Sequence, residues 1–300
     1  MTKYKKITVA PITGTIGAEI SGIDLRKLDA ETVSEIRQAF LNHTVVFFRD
    51  QEMTTEEYVT FAANFGPFGV EPYVKTMDDH PEVIAVLKEA SETKTINFGG
   101  QWHSDWSFQE SPPLATILHG IDMPPYGGDT LFANMTLAYE TLSEGMKQII
   151  EPLIAVHSAK RPYGMGKSLL GDTDKKAMTI IRSEKAHEEM EHPLVRTHPE
   201  TGEKSLFVNP VYTIRLKGMS ESDSREILQK LFKHCLQEEF KCRFRWQKNS
   251  VAMWDNRCAM HFAMNDYDGF RRELHRITIA GDIPFGPAMP KDTREHLQLA

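Results

Sequence analysis

The chain has 300 residues, of which 40% are hydrophobic and 26% charged, and its formal net charge at pH 7 is −7. This composition is ordinary for a globular domain, and the negative charge disfavours nucleic acid and anionic membranes as partners. No apolar run approaches the roughly 18 residues that cross a membrane, and the start of the chain lacks the apolar stretch of a secretory signal. Three cysteines without a CxxC pair favour neither a disulfide framework nor a thiolate zinc site. We therefore expect a cytoplasmic protein with one domain over residues 1–300.

The hydrophobic pattern predicts a few helices among many short strands. Apolar residues at helical spacing predict amphipathic helices over 31–42, 54–65, about 136–150 and 221–236. Short apolar runs between turn signals predict strands at 44–48, 83–87, 115–121, 204–208, 242–246, 251–254 and 274–280. Many short strands with few helices indicate a mainly β fold with peripheral helices, a sandwich or jelly roll, rather than a parallel sheet.

Histidine–carboxylate pairs are too common in this composition to identify a metal site by themselves. About two His-x-Asp/Glu pairs are expected by chance from 12 His and 42 acidic residues, and four occur. His103 and Asp105 stand out because they lie between glycines and aromatic residues in GGQWHSDWSF, and on an extended strand both side chains point to the same side. We interpret the remaining three pairs as structural: a surface turn at His80, a solvated helix at His187 and a turn between strands at His198.

A second imidazole from a distant strand would complete a metal-binding set. His261 follows the strand predicted at 251–254, and Arg272 and Arg276 follow it by 11 and 15 residues. Two imidazoles and one carboxylate leave three positions open on Fe(II), as in non-haem oxygenases. Each arginine offers a planar fork that binds the carboxylates of a diacid co-substrate. A buried His bonded to a backbone carbonyl, and arginines in surface ion pairs, would also explain these residues.

Four motifs occur in a recognisable order along nearly the whole chain: WHSD at 102–105, GGDT at 127–130, WDNRCAMH at 254–261, and the pair Arg272 and Arg276. In these motifs the sequence resembles the taurine dioxygenase/2,4-dichlorophenoxyacetate dioxygenase family. Within that family, residues 192–212 are similar to the phenoxypropionate (dichlorprop-type) dioxygenases. The resemblance implies a double-stranded β-helix, or jelly roll, with helices packed outside it. It also implies Fe(II), 2-oxoglutarate and O2 as cofactor and co-substrates.

The same resemblance implies a role for each motif residue. The iron ligands would be His103, Asp105 and His261. Thr130 and Arg272 would hold the distal carboxylate of 2-oxoglutarate. Arg276 would lie near the other carboxylate of 2-oxoglutarate and near the anionic group of the primary substrate.

The substrate end departs from the taurine enzymes. Glu71 stands where they carry a sulfonate-binding His, and a carboxylate there would repel a sulfonate. Trp106 is bulky where they have a smaller aliphatic residue, and Gly99 and Gly100 replace polar residues. We therefore expect a substrate other than taurine. Candidates for the apolar wall around it, each of which core packing would also explain, are Tyr73, Trp106, Phe108 and Tyr212.

The predicted reaction is oxidation of a small anionic organic substrate with release of succinate and CO2. Hydroxylation of a carbon that bears oxygen or sulfur would lead to C–O or C–S cleavage. A biosynthetic desaturase or cyclase would use the same ligands. A zinc hydrolase or a non-catalytic jelly-roll binding protein would also contain such residues, although the sequence has no HExxH motif. The resemblance also predicts a homo-oligomer, a dimer or a tetramer.

Overall fold

A computed structural model of the chain describes residues 4–93, 95–172 and 176–291. The strands within these residues are β1 Thr8–Pro11, β2 Ala18–Ser21, β3 Val45–Phe48, β4 Ile84–Lys88, β5 Ala115–Asp122, β6 Thr130–Asn134, β7 Ile154–Ser158, β8 Glu189–Pro193, β9 Val195–Thr197, β10 Lys204–Leu206, β11 Thr213–Leu216, β12 Lys241–Phe244, β13 Val251–Asp255, β14 Ala259–Ala263 and β15 Arg272–Ile279. The α-helices are α1 Ala30–His43, α2 Thr55–Ala63, α3 Met135–Glu140, α4 Glu144–Ile150, α5 Lys160–Tyr163 and α6 Glu221–Cys235. Short 3-10 helices cover Glu184–His187 and Glu238–Phe240.

Two antiparallel layers of strands enclose the central core. The larger sheet has the order β1-β2-β3-β13-β5-β15-β4, in which only the β2–β3 pair is parallel. The smaller sheet has the order β12-β6-β14. Side chains of both sheets share one hydrophobic cluster, in which Phe47 of β3 stacks on Phe244 of β12 with ring centroids 4.1 Å apart. Two sheets that pack face to face in this way form the predicted jelly roll.

The outer face of the larger sheet is covered by α1 and α2. Along β3, Val45 and Phe47 point into the jelly roll, whereas Val46 and Phe48 belong to the cluster on the helical side. All four residues are buried because both faces of the sheet are covered. Burial of each of these phenylalanines contributes about 1.5–3 kcal/mol. The apolar run at 45–48 therefore fits a central strand.

The helices begin where the sequence supplies a capping side chain. Thr54 closes a capping box with Glu57 at the start of α2. Ser220 caps α6, and Asp223 completes the capping box with it. The single helix predicted over 136–150 is wrong: a break separates α3 from α4, and Ser143 caps the second helix. Within the described part of the chain, none of the helices is both long and apolar enough to cross a membrane.

Candidate active site

His103, Asp105 and His261 come together at one end of the jelly roll. The backbones of His103 and His261 exchange two hydrogen bonds of 3.1 and 2.8 Å, which join the WHSD segment to β14. Asp105 lies at the start of a turn rather than on a strand, and its Oδ1 lies 3.6 Å from His103 Nε2 and 3.9 Å from His261 Nε2. All three side chains are buried, and one ligand atom from each lies within 4.8 Å of the others.

The protonation of these residues suits a divalent metal. His103 Nδ1 lies 2.7 Å from the carbonyl oxygen of Gln101 and donates to it, which leaves Nε2 as the nitrogen that faces Asp105. Burial lowers the pKa of His261 well below its usual value, which keeps the imidazole neutral. Burial raises the pKa of Asp105, but the positive charge of the Arg276 guanidinium outweighs it and holds that pKa far below its usual value. Two neutral imidazoles and one carboxylate are the donors that Fe(II) takes.

A buried hydrogen-bond network fixes the Asp105 carboxylate. Thr116 Oγ1 on β5 donates to Asp105 Oδ2 at 2.6 Å, and Asn256 Nδ2 donates to Thr116 Oγ1 at 2.8 Å. Asn256 Oδ1 in turn accepts from the backbone N–H of Asp105 at 3.2 Å. Oδ1 of Asp105 is thereby left to face the imidazoles. The sequence interpretation missed Thr116 and Asn256, although Asn256 belongs to the WDNRCAMH motif.

Thr130 and Arg272 line the same cavity as the three candidate ligands. Arg272 is buried, and its Nε and Nη2 have no hydrogen-bond partner among the residues that the structure describes. Thr130 Oγ1 accepts from Trp246 Nε1 at 2.9 Å, so its own hydroxyl hydrogen remains available to a ligand. A buried guanidinium with two unpartnered nitrogens, in the same cavity as a hydroxyl donor, is suited to binding a carboxylate.

The GGDT motif makes room for this arginine. Gly128 has a φ of +66°, and a Cβ at this position would lie 2.9 Å from the Arg272 side chain. The backbone N–H of Gly128 donates to Asp266 Oδ1 at 2.8 Å, which holds the turn in place. Any larger residue would push Arg272 away from the cavity, so the glycine has a steric explanation.

Arg276 is paired with acidic side chains, unlike Arg272. Its Nη1 donates to Glu71 Oε2 at 3.2 Å, and its Nη2 lies 3.1 Å from Asp105 Oδ1. The guanidinium carbon lies 4.9 Å from the centroid of the Trp106 ring. Arg272 and Arg276 lie four residues apart on β15 and line one cavity, as the sequence predicted.

A second, mostly apolar cavity adjoins the first. The two cavities share Phe98, Gly99 and His103. Of the predicted wall residues only Tyr212 lines the second cavity, together with Tyr163, which the sequence interpretation missed. Three lie behind this surface: Tyr73 stacks on Tyr163, Phe108 packs against Tyr212, and Trp106 contacts both tyrosines.

Another His–Asp cluster lies elsewhere in the molecule. His198, in the predicted turn between β9 and β10, has its Nε2 3.0 Å from Asp255 Oδ2, and its Nδ1 accepts from two backbone N–H groups. Asp255 also accepts from Arg257. Cys258 lies nearby, and burial raises the pKa of its thiol well above the usual value. Both nitrogens of His198 are therefore in use within the protein.

The sequence matches a family model described as "Taurine catabolism dioxygenase TauD, TfdA family" over residues 8–278. The chain belongs to this family. It is therefore an Fe(II)- and 2-oxoglutarate-dependent dioxygenase, which confirms the predicted family, jelly-roll fold, reaction class and cofactors. A zinc hydrolase or a non-catalytic binding protein does not agree with this membership. The finer likeness to phenoxypropionate dioxygenases stays a prediction.

Individual relatives cover most of the chain. An alpha-ketoglutarate-dependent sulfate ester dioxygenase of Pseudomonas putida is 35% identical over 94% of this chain and 92% of its own length. The crystal structure of a taurine dioxygenase from Burkholderia xenovorans is 38% identical with a TM-score of 0.79, and covers 95% of this chain and 93% of its own. The crystal structure of AAD-2 in complex with Mn(II) and N-oxalylglycine is 29% identical with a TM-score of 0.75, and covers 95% and 99%.

Proposed function

We propose that His103, Asp105 and His261 hold Fe(II) in this dioxygenase. The observation that carries the proposal is the set of three buried ligand atoms that face one another, with the second oxygen of Asp105 held by Thr116. Support comes from AAD-2, whose structure contains Mn(II). Two His and one carboxylate would leave three metal positions open for co-substrate and oxygen.

The unpartnered Nε and Nη2 of Arg272 and the hydroxyl of Thr130 would bind the distal carboxylate of 2-oxoglutarate. Nη2 of Arg276, which has no hydrogen bond of good geometry to a described residue, would donate to the carboxylate near the metal. N-Oxalylglycine in the AAD-2 structure is a diacid of similar length, which supports a diacid site in this fold. When bound, iron with 2-oxoglutarate and O2 supplies an oxidant that removes hydrogen from a C–H bond and releases succinate and CO2.

The protein side of this reaction is positioning and exclusion of water. Asp105, fixed by its hydrogen bonds, would set the position of the metal relative to His103 and His261. The apolar surface at Tyr163 and Tyr212 would orient the substrate so that one C–H bond faces the metal. The buried arginines would hold the co-substrate in one orientation throughout turnover.

The primary substrate is proposed to be a small organic anion with an apolar body. The apolar cavity supports an apolar body, and the sulfate ester dioxygenase relative supports an anionic group. Hydroxylation, C–O or C–S cleavage, desaturation and cyclisation would share the same metal ligands. The single domain over 1–300, the cytoplasmic location and the homodimer or homotetramer stay predictions.

Succinate formation tests the function. The purified protein would be incubated with Fe(II), ascorbate, 2-oxoglutarate and a panel of phenoxypropionates, alkyl sulfates, sulfonates and aliphatic carboxylates. We expect at least one compound to stimulate succinate formation above the uncoupled rate. The absence of all succinate formation in folded, iron-loaded protein would contradict the proposal.

A further inference from the structure

The Glu71 carboxylate accepts a hydrogen bond from one of the two terminal nitrogens of Arg276. The Glu71 and Arg276 side chains are each 3% exposed, and Oε2 of Glu71 lies 3.2 Å from Nη1 of Arg276. The other terminal nitrogen, Nη2, faces Asp105 Oδ1. A guanidinium binds an anion strongly when it presents both nitrogens as a fork. In this chain Nη1 of Arg276 is taken by Glu71, so only Nη2 remains for a ligand.

The Glu71 carboxylate is held firmly enough to stay there. Trp106 Nε1 donates to Oε2 at 2.7 Å, and Thr278 Oγ1 donates to Oε1 at 2.8 Å. Trp106 has a φ of +46°, a conformation that costs a bulky residue about 1–2 kcal/mol and that places its buried indole against both Glu71 and Arg276. Each Glu71 oxygen thus has a donor, so the carboxylate has no unsatisfied atom that would favour its displacement.

The charges of the site are balanced before a primary substrate arrives. A divalent iron with Arg272 and Arg276 carries as many positive charges as Asp105, Glu71 and a doubly ionised 2-oxoglutarate carry negative ones. Without Glu71 the site would have one spare positive charge, which would attract a sulfate or sulfonate. With Glu71 present, an anion placed beside the metal would be buried without a counter-charge, which is strongly unfavourable.

The adjoining cavity offers no replacement for that charge. It is lined by mostly apolar side chains, among them Phe98, Leu169, Leu170, Val211 and Tyr212. Within the part of the chain that the structure describes, its lining contains no Lys, Arg, Asp or Glu. The apolar cavity is therefore suited to an uncharged alkyl or aryl segment where it adjoins the cavity of His103, Asp105 and His261.

We propose that Glu71 is a specificity-determining residue that keeps anionic groups away from the carbon that is oxidised. The substrate would present an uncharged alkyl or aryl segment to the metal, and its charged group would lie several bonds from the oxidised carbon. This inference rests on the proposed function and narrows its substrate class. It separates this chain from an enzyme that holds a sulfate or sulfonate directly beside the reacting C–H bond.

Binding of two probes to the anaerobic Fe(II)–2-oxoglutarate form of the enzyme tests the inference. Ethyl sulfate has C–H bonds only on the short chain next to its sulfate, so its anion must lie beside any C–H bond that faces the metal, and ethyl methyl ether replaces the sulfate by an uncharged group. Their dissociation constants are measured from the change in the visible charge-transfer band. In the unmutated enzyme we expect the ether to bind about tenfold or more tightly than the sulfate. Tighter binding of the sulfate would overturn the inference without any variant.

The Glu71→Gln variant is the second part of the experiment. It removes the negative charge of residue 71 and keeps an oxygen that can accept hydrogen bonds. We expect this variant to bind ethyl sulfate about tenfold or more tightly than the unmutated enzyme, since the positive charge of Arg276 is then no longer balanced by residue 71. Binding of the ether should change by less than about threefold. The matched control is Asp282→Asn, which removes a carboxylate from the buried Arg196 outside both cavities and should leave both affinities unchanged.

The outcomes separate this inference from the proposed function. A normal charge-transfer band with equal sulfate affinity in the unmutated enzyme and in Glu71→Gln would overturn the role of Glu71 alone. An equal gain for both probes would also overturn it, because it would reveal a change of shape rather than of charge. The absence of the band in the unmutated enzyme would contradict the proposed function, and this inference with it.

Discussion

Two buried clusters in this molecule combine His and Asp side chains, yet only one of them is arranged to take a metal. In the candidate site, His103, Asp105 and His261 turn three ligand atoms toward one another. In the second cluster, both nitrogens of His198 are hydrogen-bonded, and Asp255 is shared between His198 and Arg257. Residue types and burial are alike in the two clusters. The two clusters differ in whether their nitrogen and oxygen lone pairs are free to bind a metal or are already used in hydrogen bonds within the protein.

The same difference explains how each cluster is stabilised. The second cluster satisfies itself internally, so it contributes to the fold. The candidate site leaves a neutral imidazole and an ionised carboxylate in a buried cavity, an arrangement that a bound cation would stabilise. Substitutions in the candidate site should therefore reduce iron binding and spare the stability of the fold. Substitutions in the cluster around His198 should reduce stability and spare iron binding.

The largest effect should follow from removal of a candidate ligand. Asp105→Ala or His103→Ala should abolish iron-dependent succinate formation, because two remaining ligands hold Fe(II) poorly. The fold should persist, since Arg276 keeps its partner Glu71. Activity assays with circular dichroism as the folding control would check this. Near-normal turnover in either variant would contradict the assignment.

The same kind of change in the second cluster should destabilise the protein and spare the metal site. Asp255→Asn removes the charge from a carboxylate that accepts from both His198 and Arg257. Breaking a buried pair in this way costs about 3–5 kcal/mol of unfolding free energy. Urea denaturation would measure the loss, and iron content per folded molecule should stay unchanged. Loss of iron without loss of stability would reverse the comparison.

A buried histidine outside both clusters should make the fold sensitive to acid. Burial holds the pKa of His157 at about 3, whereas in the unfolded chain it titrates near 6.5. Below 6.5 the unfolded state binds a proton that the folded state does not, so the unfolding free energy falls with pH. The loss from this group reaches about 2–3 kcal/mol near pH 4.5. His157→Gln should flatten the dependence of urea unfolding on pH, and an unchanged slope would contradict this.

Arg272→Ala should affect the co-substrate more than the metal. It removes the guanidinium whose Nε and Nη2 have no partner among the described residues. The KM for 2-oxoglutarate should rise about 10- to 100-fold, as expected for loss of one or two charge-assisted hydrogen bonds. The Kd for Fe(II), measured without 2-oxoglutarate, should change little. An equal loss of both would indicate a structural role for Arg272.

A smaller effect is expected at Thr116, which acts through Asp105. Thr116→Val keeps the shape of the side chain and removes the hydrogen bond to Asp105 Oδ2. Fe(II) affinity should fall about tenfold, in the lower part of the range for groups that orient metal ligands. Direct titration of the apoprotein with Fe(II) would measure it. Thr278→Val, on the same sheet but bonded to Glu71, is the matched control and should bind Fe(II) normally.

The sequence predicted the main parts of the fold because their signals are local or lie in motifs. The helices at α1, α2 and α6 follow apolar spacing, and the residues brought together at the cavity lie in the WHSD, GGDT and WDNRCAMH motifs. The spacing of Arg272 and Arg276 placed them on one face of β15. By contrast, the break between α3 and α4 depends on a single capping residue, Ser143, which the apolar pattern does not reveal.

What the sequence could not provide is the pairing between distant polar side chains. Thr116 reaches Asp105 only because β5 packs beside the turn that carries it, and Asn256 lies more than a hundred residues further along the chain. The sequence showed that Glu71 stands where the taurine enzymes carry a His, but it could not show the ion pair of Glu71 with Arg276, which depends on tertiary packing. Tyr163 was missed because α5 is short and carries no periodic signal.

The central claim is that the cluster of His103, Asp105 and His261, and not the one around His198, holds iron together with 2-oxoglutarate. The most direct test is an anaerobic titration of the apoprotein with Fe(II) in the presence of 2-oxoglutarate, followed by the weak visible charge-transfer band. We predict that the band forms with one Fe(II) per chain in the unmutated protein and in folded Asp255→Asn, and that it is lost in Asp105→Ala. A band that survives in Asp105→Ala and disappears in Asp255→Asn would contradict the claim.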